Sequence, residues 1–515
     1  MKRHPYLLIF IILNLLLTAV SSCSDWLDVR GEDSVKEKDL FLTYKGFRDA
    51  LTGCYMQMAS EDIYGQRLTM TNIESLAEMW YCPSDYETNK PEAYQLHNHR
   101  YTDDQARSSI SAIYGGLFNT IAQANLVIKH FEKEGHVIAD SKARACIGGE
   151  AYAIRAYCQL DILRLFGQIP QNATLTTSLP YSFVTDISSM PAYYDFKEYC
   201  KLLEADIDKA LELLAQGDPV LEYSFTKLNS GVNTGANASD LLDDNYLYYR
   251  QSRLNYYAVK ALKCRYLLYT GQTEEAHRLA LEIIGDTTPD GQPVMQLSGA
   301  EDLAAGFHAC PGECLFYLSK FDILSSANQL LTGGRTVQIT TSQYYLSSAM
   351  FTQLYASILN TTGSHNRYNK QWNQTNRDNT GNPVVCSKKY WYDEEKDNVA
   401  RNVLTKGQII PMLRLSEIYL IAVETAATLE EANRLYADYE KGCEVILPRV
   451  FTTLVAVKNE ILNEYRREFF AEGQMFYAYK RLNHPAMLWA TSPISEKDYV
   501  LPLPATEYNP AITSD

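Results

Sequence analysis

The sequence predicts a mainly α-helical protein with large irregular insertions and a few short β-strands. Several segments place apolar residues three or four positions apart, which is the spacing of one face of an α-helix. Strand-like runs are short and fall within 285–410. The 515 residues are 46% hydrophobic and 21% charged, so the chain can bury a large core and is neither disordered nor fibrous.

The N-terminus has the pattern of a secretory leader. Two basic residues precede the apolar run 7–20, which is too short to span a bilayer comfortably, and small residues separate this run from Cys23. The segment ending at Cys23 is similar to a bacterial lipobox, which predicts cleavage before Cys23 and lipid attachment to it. An ordinary signal with an incidental cysteine is the alternative. We therefore expect a lipoprotein signal peptide at 1–22 and a lipid-anchored tether at 23–39.

Helical spacing is clearest between residues 147 and 165, where six apolar positions share one face of a single long helix. Gly167 and Pro170 mark its end, since both residues disfavour continuation of a helix. By the same criterion we expect further helices at 110–131, 257–268, 274–284, 429–439 and 454–482, and one that begins near Pro411 and continues to Ala426.

The two helices on either side of Gly271 resemble a tetratricopeptide unit, because a glycine turn joins them and small residues lie where they cross. Similar units are far apart in the chain. This favours a tetratricopeptide-like scaffold of helix pairs with insertions over a regular solenoid. We place the scaffold roughly at 40–60, 109–170, 196–224, 253–285 and 411–482.

Segments rich in Asn, Gly, Pro and Tyr separate the predicted helices and should form exposed, ligand-facing insertions. They lie roughly at 61–108, 171–195, 225–252 and 286–410, and an extended segment at 483–515 closes the chain. Within the last insertion, strands are expected at 336–339 and 383–392. Residues 40–515 are predicted to form a single domain.

Charge and motif patterns exclude several functions. The net charge is −15 and the sequence contains no block of basic residues, which argues against nucleic-acid binding. No metalloprotease, serine-hydrolase, P-loop or dinucleotide motif occurs, so we predict no catalytic residue, no cofactor and no metal. His308, Cys310 and Cys314 leave three readings open: free thiols, a local disulfide, or part of a zinc site without a convincing fourth ligand.

Paired acidic residues near the C-terminus raise the possibility of a glycosidase, which places two carboxylates across the scissile bond. Glu468 and Glu472 are one helical turn apart, beside Arg466 and Arg467. They also continue an inward-facing apolar stripe, and buried acids beside arginines are usually paired structural charges. We interpret both carboxylates as structural, and Arg155 in the same way.

Aromatic residues in the insertions are candidates for ligand binding. Sugar rings present apolar C–H faces bounded by hydroxyls, so aromatic rings bind the faces while Asn, Asp and Arg bind the hydroxyls. The alternative is that these side chains only pack the loops onto the helices. The candidate ligand-binding residues form three clusters: Trp80, Tyr81, Tyr86 and Asn89; Arg367, Tyr368 and Trp372; and Tyr390 and Trp391. We expect at least one of the three tryptophans to contact ligand.

Several motifs together resemble the SusD/RagB family of Bacteroidetes outer-membrane nutrient-binding lipoproteins. They keep the family's order and spacing and lie at 23–29, 149–156 followed by 165–167, 414–420, 464–473 and 501–504. Acidic residues after Cys23 are similar to the surface-export signal of such lipoproteins. The chain departs from the family pattern at Gln474, where an arginine is usual, and over 436–455.

The resemblance implies a SusD-like body of four tetratricopeptide-type helix pairs with irregular insertions on its exposed face. It also implies a protein that is not an enzyme. Such proteins are held by lipid on the outer membrane, face the cell exterior, and present oligosaccharide to a SusC-like TonB-dependent transporter. Some members bind peptides instead, and a mainly structural role as a lid of the transporter complex is a further alternative.

Overall fold

The computed structural model describes residues 37–83, 86–185, 189–229, 241–340, 343–358, 365–393, 403–443, 445, 448–490, 492–505 and 507. The predicted leader at 1–22, the lipidation site Cys23 and all but the last residues of the tether at 23–39 lie outside these ranges.

Helices dominate the described part of the chain, so the predicted mainly α fold is confirmed. The scaffold helices are α1 (Tyr44–Met58), α2 (Asp104–Glu134), α3 (Ser141–Phe166), α4 (Phe196–Leu214), α5 (Tyr256–Thr270), α6 (Thr273–Gly285), α7 (Leu415–Thr425), α8 (Leu429–Gly442), α9 (Leu454–Glu468) and α10 (Met475–Arg481).

Consecutive scaffold helices pack against each other, which gives the pairs α1–α2, α3–α4, α5–α6 and α7–α8. The α5–α6 pair shows how the sequence sets this arrangement. The Asn255 side chain caps α5 by accepting a hydrogen bond from the Ala258 amide, and Gly271 ends α5 in a left-handed conformation with φ of 84°. A side chain other than glycine would be strained at that angle, so the position of the turn is fixed by Gly271.

Helix α3 is the centre of the molecule, because almost every side chain between Ala143 and Phe166 is buried. Its charged residues are therefore paired. Arg155 Nη2 lies 2.6 Å from Asp206 Oδ1 on α4, which confirms the structural role predicted for Arg155. Apolar side chains from Phe41 to Leu501 form one contiguous cluster around this helix.

Short helices lie between the scaffold helices, including within the predicted insertions. They are Glu37–Leu40, Asn72–Leu76, Tyr86–Asn89, Glu92–His97, Phe225–Asn229, Gly299–Ala305, Ile323–Leu330, Ser348–Leu354 and Asn366–Lys370, with single turns at Gly135–Val137, Pro219–Leu221, Asn245–Leu247, Arg250–Ser252, Pro311–Glu313, Val403–Gly407 and Glu496–Tyr499.

The described strands form three small antiparallel sheets. In the first, β1 (Ser178–Tyr181) pairs with β2 (Ala192–Asp195), and Ser178 lies opposite Asp195. In the second, β3 (Cys314–Ser319) pairs with β7 (Ile409–Arg414). In the third, β6 (Val384–Ser387) lies between β4 (Leu346–Ser347) and β5 (Trp372–Asn373).

The two strands predicted from sequence are corrected by the structure. Residues 336–339 contribute only an isolated bridge between Gln338 and Arg377. The strand predicted at 383–392 is limited to β6, because the chain turns away at Lys388, whose amide donates to the Gln371 carbonyl.

The helix predicted to begin near Pro411 is wrong at its start, because residues 409–414 form strand β7 and the helix begins at Leu415. All six residues of β7 are buried. A short, largely apolar run does not distinguish a buried strand from a buried helix by spacing alone. Pro411 could have indicated the strand, because the helical conformation is disfavoured for the residue that precedes a proline.

The helix predicted over 454–482 is two helices, α9 and α10, separated by a turn. Ala471 and Gly473 have φ of 61° and 74° in this turn. The Gly473 amide donates a 2.8 Å hydrogen bond to Glu74 Oε1, which ties the turn to the first insertion. The apolar stripe continues on both sides of the break, so its spacing conceals the turn.

Replacing Gly473 by alanine should destabilise the protein by at least about 1 kcal/mol. A Cβ atom there would lie 2.1 Å from the Leu68 carbonyl oxygen, and the backbone has a φ of +74°. Urea unfolding followed by circular dichroism measures the change. Gly115→Ala is the matched control: this exposed glycine lies inside α2, and a Cβ atom added to it would meet no atom within 4 Å, so the variant should gain about 0.5–1 kcal/mol. Equal stability of the two variants would contradict the conclusion that the turn requires glycine at position 473.

Candidate ligand-binding site

A surface cleft brings the first predicted aromatic cluster together with a segment that is distant in sequence. Its walls are formed by residues within 75–82 and 86–97 of the first insertion and by residues 343–344. Trp80, Tyr81 and Tyr86 line it, and its volume is about 150 Å³. We call it the aromatic cleft. Asn89, the fourth member of the predicted cluster, is exposed and is not part of the lining.

The backbone at the start of the cleft turns sharply after the helix Asn72–Leu76. Glu78 adopts a φ of 54° in this turn. The chain then runs beside the second wall, where the Tyr81 amide donates a 2.9 Å hydrogen bond to the Tyr345 carbonyl. This contact joins the two walls of the cleft.

Trp80 forms the floor of the aromatic cleft. Its side chain is only 3% exposed, and its indole Nε1 donates a 2.9 Å hydrogen bond to the Met70 carbonyl. The ring packs edge-on against Phe470 at 4.8 Å and lies 5.7 Å from Tyr344. Trp80 is therefore held in place, and little of its surface is available from the cleft.

Tyr81 supplies the accessible aromatic ring. It is 37% exposed, and its ring centroid lies 5.6 Å from that of Tyr345 at an angle of 52°. An aromatic ring with this much exposure can offer apolar surface to a ligand.

The polar groups of the cleft suit a ligand with hydroxyl groups. Burial is the main reason that the pKa of His97 falls to about 4, so this imidazole is neutral at pH 7 and can both donate and accept a hydrogen bond. Glu92 Oε1 accepts hydrogen bonds from Asn72 Nδ2, at 3.3 Å, and from the Ser109 hydroxyl, which orients the carboxylate. Burial raises the pKa of nearby Glu78 to about 7.

The second predicted cluster lies mostly in the interior. Trp372 is 4% exposed, and its Nε1 donates a 2.9 Å hydrogen bond to the Tyr355 hydroxyl. Tyr368 is half-buried and stacks on Phe351 at 5.1 Å. Arg367 is buried and forms an ion pair with Glu468. The structure gives these three side chains packing and pairing contacts.

The third predicted cluster also packs inward. Tyr390 is buried, and its hydroxyl donates a 2.6 Å hydrogen bond to the Ala471 carbonyl. Trp391 is half-buried against Gly334 and lies 5.9 Å from the His308 ring. Neither residue lines the aromatic cleft.

Phe470 connects the first two clusters. Trp80 packs on it at 4.8 Å and Trp372 at 4.9 Å, both edge-on. The two insertions therefore share one aromatic ring from the turn between α9 and α10.

Sequence reasoning missed several residues of the cleft, namely Glu92, His97, Gln343 and Tyr344, as well as Tyr345 beside it. A signal for the tyrosines was present. Tyr344 and Tyr345 are adjacent aromatics in an insertion, as are Trp80 and Tyr81, and the two pairs face each other.

The charged residues of the C-terminal motif are structural, as predicted. Arg414 Nη1 lies 2.6 Å from Glu468 Oε1 and 2.5 Å from Glu313 Oε1, and Arg414 Nε donates a 2.9 Å hydrogen bond to Glu472. Lys389 also pairs with Glu472. With Arg367, Glu460, Glu464 and Arg467, these residues form what we call the core ion network, whose side chains are all buried.

The pairing decides the charge state of these acids. Burial alone raises the pKa of Glu464, but the charges of Arg467 and Arg367 outweigh it and lower that pKa to about 2. Burial likewise raises the pKa of Glu468, and Arg367 and Arg414 reverse the effect. Neither Glu468 nor Glu472 lines the aromatic cleft, so the structure gives them no access to a ligand there.

The cysteines near His308 are free thiols in the structure. Cys310 and Cys314 are both buried, and the Cys314 thiol points toward the Cys310 carbonyl at 3.4 Å. This is the first of the three readings that the sequence left open. Across the described ranges, no group of three or more His, Cys, Asp and Glu side chains is arranged to hold a metal ion.

Cavities of about 650 and 640 Å³ lie elsewhere on the molecule. The first is bounded by the N-terminal half of α2, residues 182–185 and 189–191, and Pro504. The second lies between the short helix Phe225–Asn229 and residues 292–302. Of the helices that the structure describes, none combines the length and apolar composition needed to cross a membrane.

The helix pairs, the loop insertions and the surface cleft define a tetratricopeptide-like helical protein that could bind ligands through its loops. Comparison with known proteins then shows what the chain is similar to. The SusD family model matches residues 336–512. The SusD-like protein P2 of Formosa agariphila is 29% identical over 167 residues, which is 32% of this chain and 30% of that relative's length.

Solved structures share the fold over most of the chain. A SusD superfamily protein from Bacteroides thetaiotaomicron has a TM-score of 0.65 and 21% identity, and the match covers 90% of this chain and 97% of that one. Surface glycan-binding protein A from Bacteroides thetaiotaomicron, in complex with laminarihexaose, has a TM-score of 0.62 and 14% identity, with the same coverage. The resemblance to the SusD/RagB family is thus confirmed.

Replacing Glu468 by glutamine should destabilise the protein by about 3 kcal/mol or more, because it leaves Arg367 and Arg414 short of a buried countercharge. Thermal unfolding at neutral pH measures the loss. Glu275→Gln, which removes an exposed pair with Arg278, is the control and should cost less than about 1 kcal/mol. A stable Glu468→Gln protein would show that the core ion network does not hold the fold together.

Proposed function

We propose that this protein binds an oligosaccharide at the aromatic cleft and does not alter it chemically. The observation that carries the proposal is the accessible ring of Tyr81, which lies beside Tyr345 above the fixed indole of Trp80. Neutral His97 and the oriented Glu92 supply hydrogen-bonding groups at the same place. An aromatic platform bordered by polar groups is the chemistry that binds a sugar ring.

The size of the cleft indicates how the ligand binds. Its volume of about 150 Å³ is below the 300–1,000 Å³ of pockets that enclose a small ligand. The cleft therefore receives one ring or one side of an extended chain, and the remainder of the oligosaccharide lies along the surface. The relative bound to laminarihexaose makes neutral glucans the first ligands to test.

The family resemblance and the N-terminal sequence support the cellular role that we propose. Cys23 carries lipid chains that hold the protein on the outer membrane, facing the exterior, where it delivers oligosaccharide to a SusC-like TonB-dependent transporter. Anchoring both partners in one membrane raises their effective concentration, so a weak contact between them is sufficient. Peptide binding by the same fold, or a purely structural lid, is the alternative, which a comparison of sugar and peptide affinity distinguishes.

Replacing Tyr81 by alanine should weaken oligosaccharide binding at least tenfold, since it removes the accessible ring at the cost of one ring contact, with Tyr345. A glycan array followed by calorimetry on the retained sugar measures the change. Phe321→Ala removes an aromatic that is 85% exposed and lies outside the cleft, so it should leave affinity unchanged. Trp80→Ala and Trp372→Ala are weaker tests, because both indoles are buried and their loss would also destabilise the fold. Trp391→Ala tests the third cluster.

Two outcomes would contradict the proposal. One is affinity for peptides and for no sugar in the array. The other is an equal loss of sugar affinity in the Tyr81→Ala and Phe321→Ala variants, which would show that the effect is not specific to the aromatic cleft.

Replacing Cys23 by alanine should release the protein from membranes and leave its fold intact, because the apolar cluster of the described residues forms from Phe41 onward. Detergent partitioning and circular dichroism measure the two properties. Cys82→Ser changes a thiol in the folded body and should not alter partitioning. Retention of the Cys23→Ala protein in the membrane fraction would argue against a lipid anchor.

A further inference from the structure

The geometry points to a second binding site, for a neutral hydroxyl-rich ligand such as an oligosaccharide, in the 640 Å³ cavity beside the short helix Phe225–Asn229. We call it the amide cleft. Its other walls are residues 292–302, 311–312 and the turn at Thr405 and Lys406. The volume falls within the 300–1,000 Å³ of cavities that enclose a ligand. The amide cleft and the aromatic cleft share no lining residue.

Carboxamide side chains dominate the recognition chemistry of this cleft. Asn229, Gln251, Gln292 and Gln296 all line it. Each carboxamide carries both donors and an acceptor, which matches a ligand whose hydroxyls both donate and accept. Gln292 and Gln296 are exposed at the rim, whereas Gln251 is buried and fixed by donating a 2.5 Å hydrogen bond to the Cys314 carbonyl.

Asn229 leaves an acceptor unsatisfied at this site. Its Nδ2 donates to Gln251 Oε1, but its Oδ1 is buried and receives no hydrogen bond within the described part of the chain. A buried acceptor without a donor costs about 1–3 kcal/mol. A ligand hydroxyl would supply the missing donor if the Asn229 side chain turned toward the cavity on binding.

The acidic groups of the cleft are partly preorganised. The Asp302 carboxylate accepts a 2.8 Å hydrogen bond from the Gly312 amide and a 2.9 Å hydrogen bond from the Ser298 hydroxyl. These contacts fix its orientation before any ligand binds. Preorganised polar groups bind a ligand without the cost of ordering them first.

Charge and shape narrow the ligand class. Glu301 and Asp302 outnumber Lys406 in the lining, so an anionic ligand is disfavoured. Phe225, the aromatic residue of the lining, is buried, so recognition relies on hydrogen bonds and not on stacking. Among the apolar lining side chains, Met295 is half-exposed and Pro293 is exposed, which leaves small apolar surfaces for the C–H faces of a sugar ring. The balance of charged and hydrogen-bonding groups favours a neutral saccharide.

The test follows two regions of the full-length protein by hydrogen–deuterium exchange in the presence of neutral hexasaccharides, beginning with laminarihexaose and maltohexaose, each at saturating concentration. We expect protection of 224–229 and 292–302 with at least one sugar. Gln296→Trp places a large side chain at the exposed rim. It should raise the sugar concentration needed for half-maximal protection at least tenfold. Gln105→Trp, an equally exposed change on α2, should have no effect.

The same experiment separates this inference from the proposed function, because residues 75–97 report the aromatic cleft. Tyr81→Ala should remove protection of 75–97 and leave that of the amide cleft. Protection of the amide cleft without protection of 75–97 would overturn the aromatic site and uphold this one. The second site is wrong if no sugar protects 224–229 and 292–302, if Gln296→Trp and Gln105→Trp behave alike, or if only peptides protect these segments.

Discussion

The buried pairing of carboxylates with arginine and lysine is the constraint on which this architecture depends. The core ion network holds Glu313, Glu460, Glu464, Glu468 and Glu472 out of water, a state that costs several kcal/mol per charge unless each acid is paired and hydrogen-bonded. Arg414 meets three of them at the junction of β7 and α7. Arg367 and Lys389 reach the same acids from the largest insertion. The network therefore fixes the irregular segments on the helical scaffold. Apolar packing alone would define the position of these segments less well, because it is not directional.

Much of the fold follows from the sequence, for identifiable reasons. Helical spacing over α3 and the glycine turn at Gly271 predict long helices and a helix pair, because these signals are local. The break between α9 and α10 and the strand Ile409–Arg414 were mispredicted because both depend on partners distant in sequence: Glu74 receives the Gly473 amide, and Cys314–Ser319 pairs with the strand. The structural role of Glu468 and Glu472 was predictable, since arginines and an apolar stripe surround them in the sequence.

The candidate site was only partly predictable. Adjacent aromatics in an insertion identified Trp80 and Tyr81, and the structure places them at a cleft. Composition could not show that Trp372 and Tyr390 pack inward, because burial of an aromatic depends on which loop covers it. Composition also could not show that Tyr344 lines the same cleft as Trp80, which is more than 250 residues away in the sequence. The sequence gives even less indication of the amide cleft, because Gln and Asn are common in loops. Their side chains indicate a binding site only once the fold is known to bring them together.

The packing of both Trp80 and Trp372 on Phe470 has a consequence for how such proteins diversify. Two loops that rest on one ring cannot drift independently, because a bulkier residue in either one displaces the shared support of the other. New specificity is then most readily acquired at the outer rim, by exchange of Tyr81 or its neighbours, while the tryptophans beneath stay unchanged. Grafting a whole loop from a relative into this chain would succeed only if the opposite loop and the phenylalanine were transplanted with it.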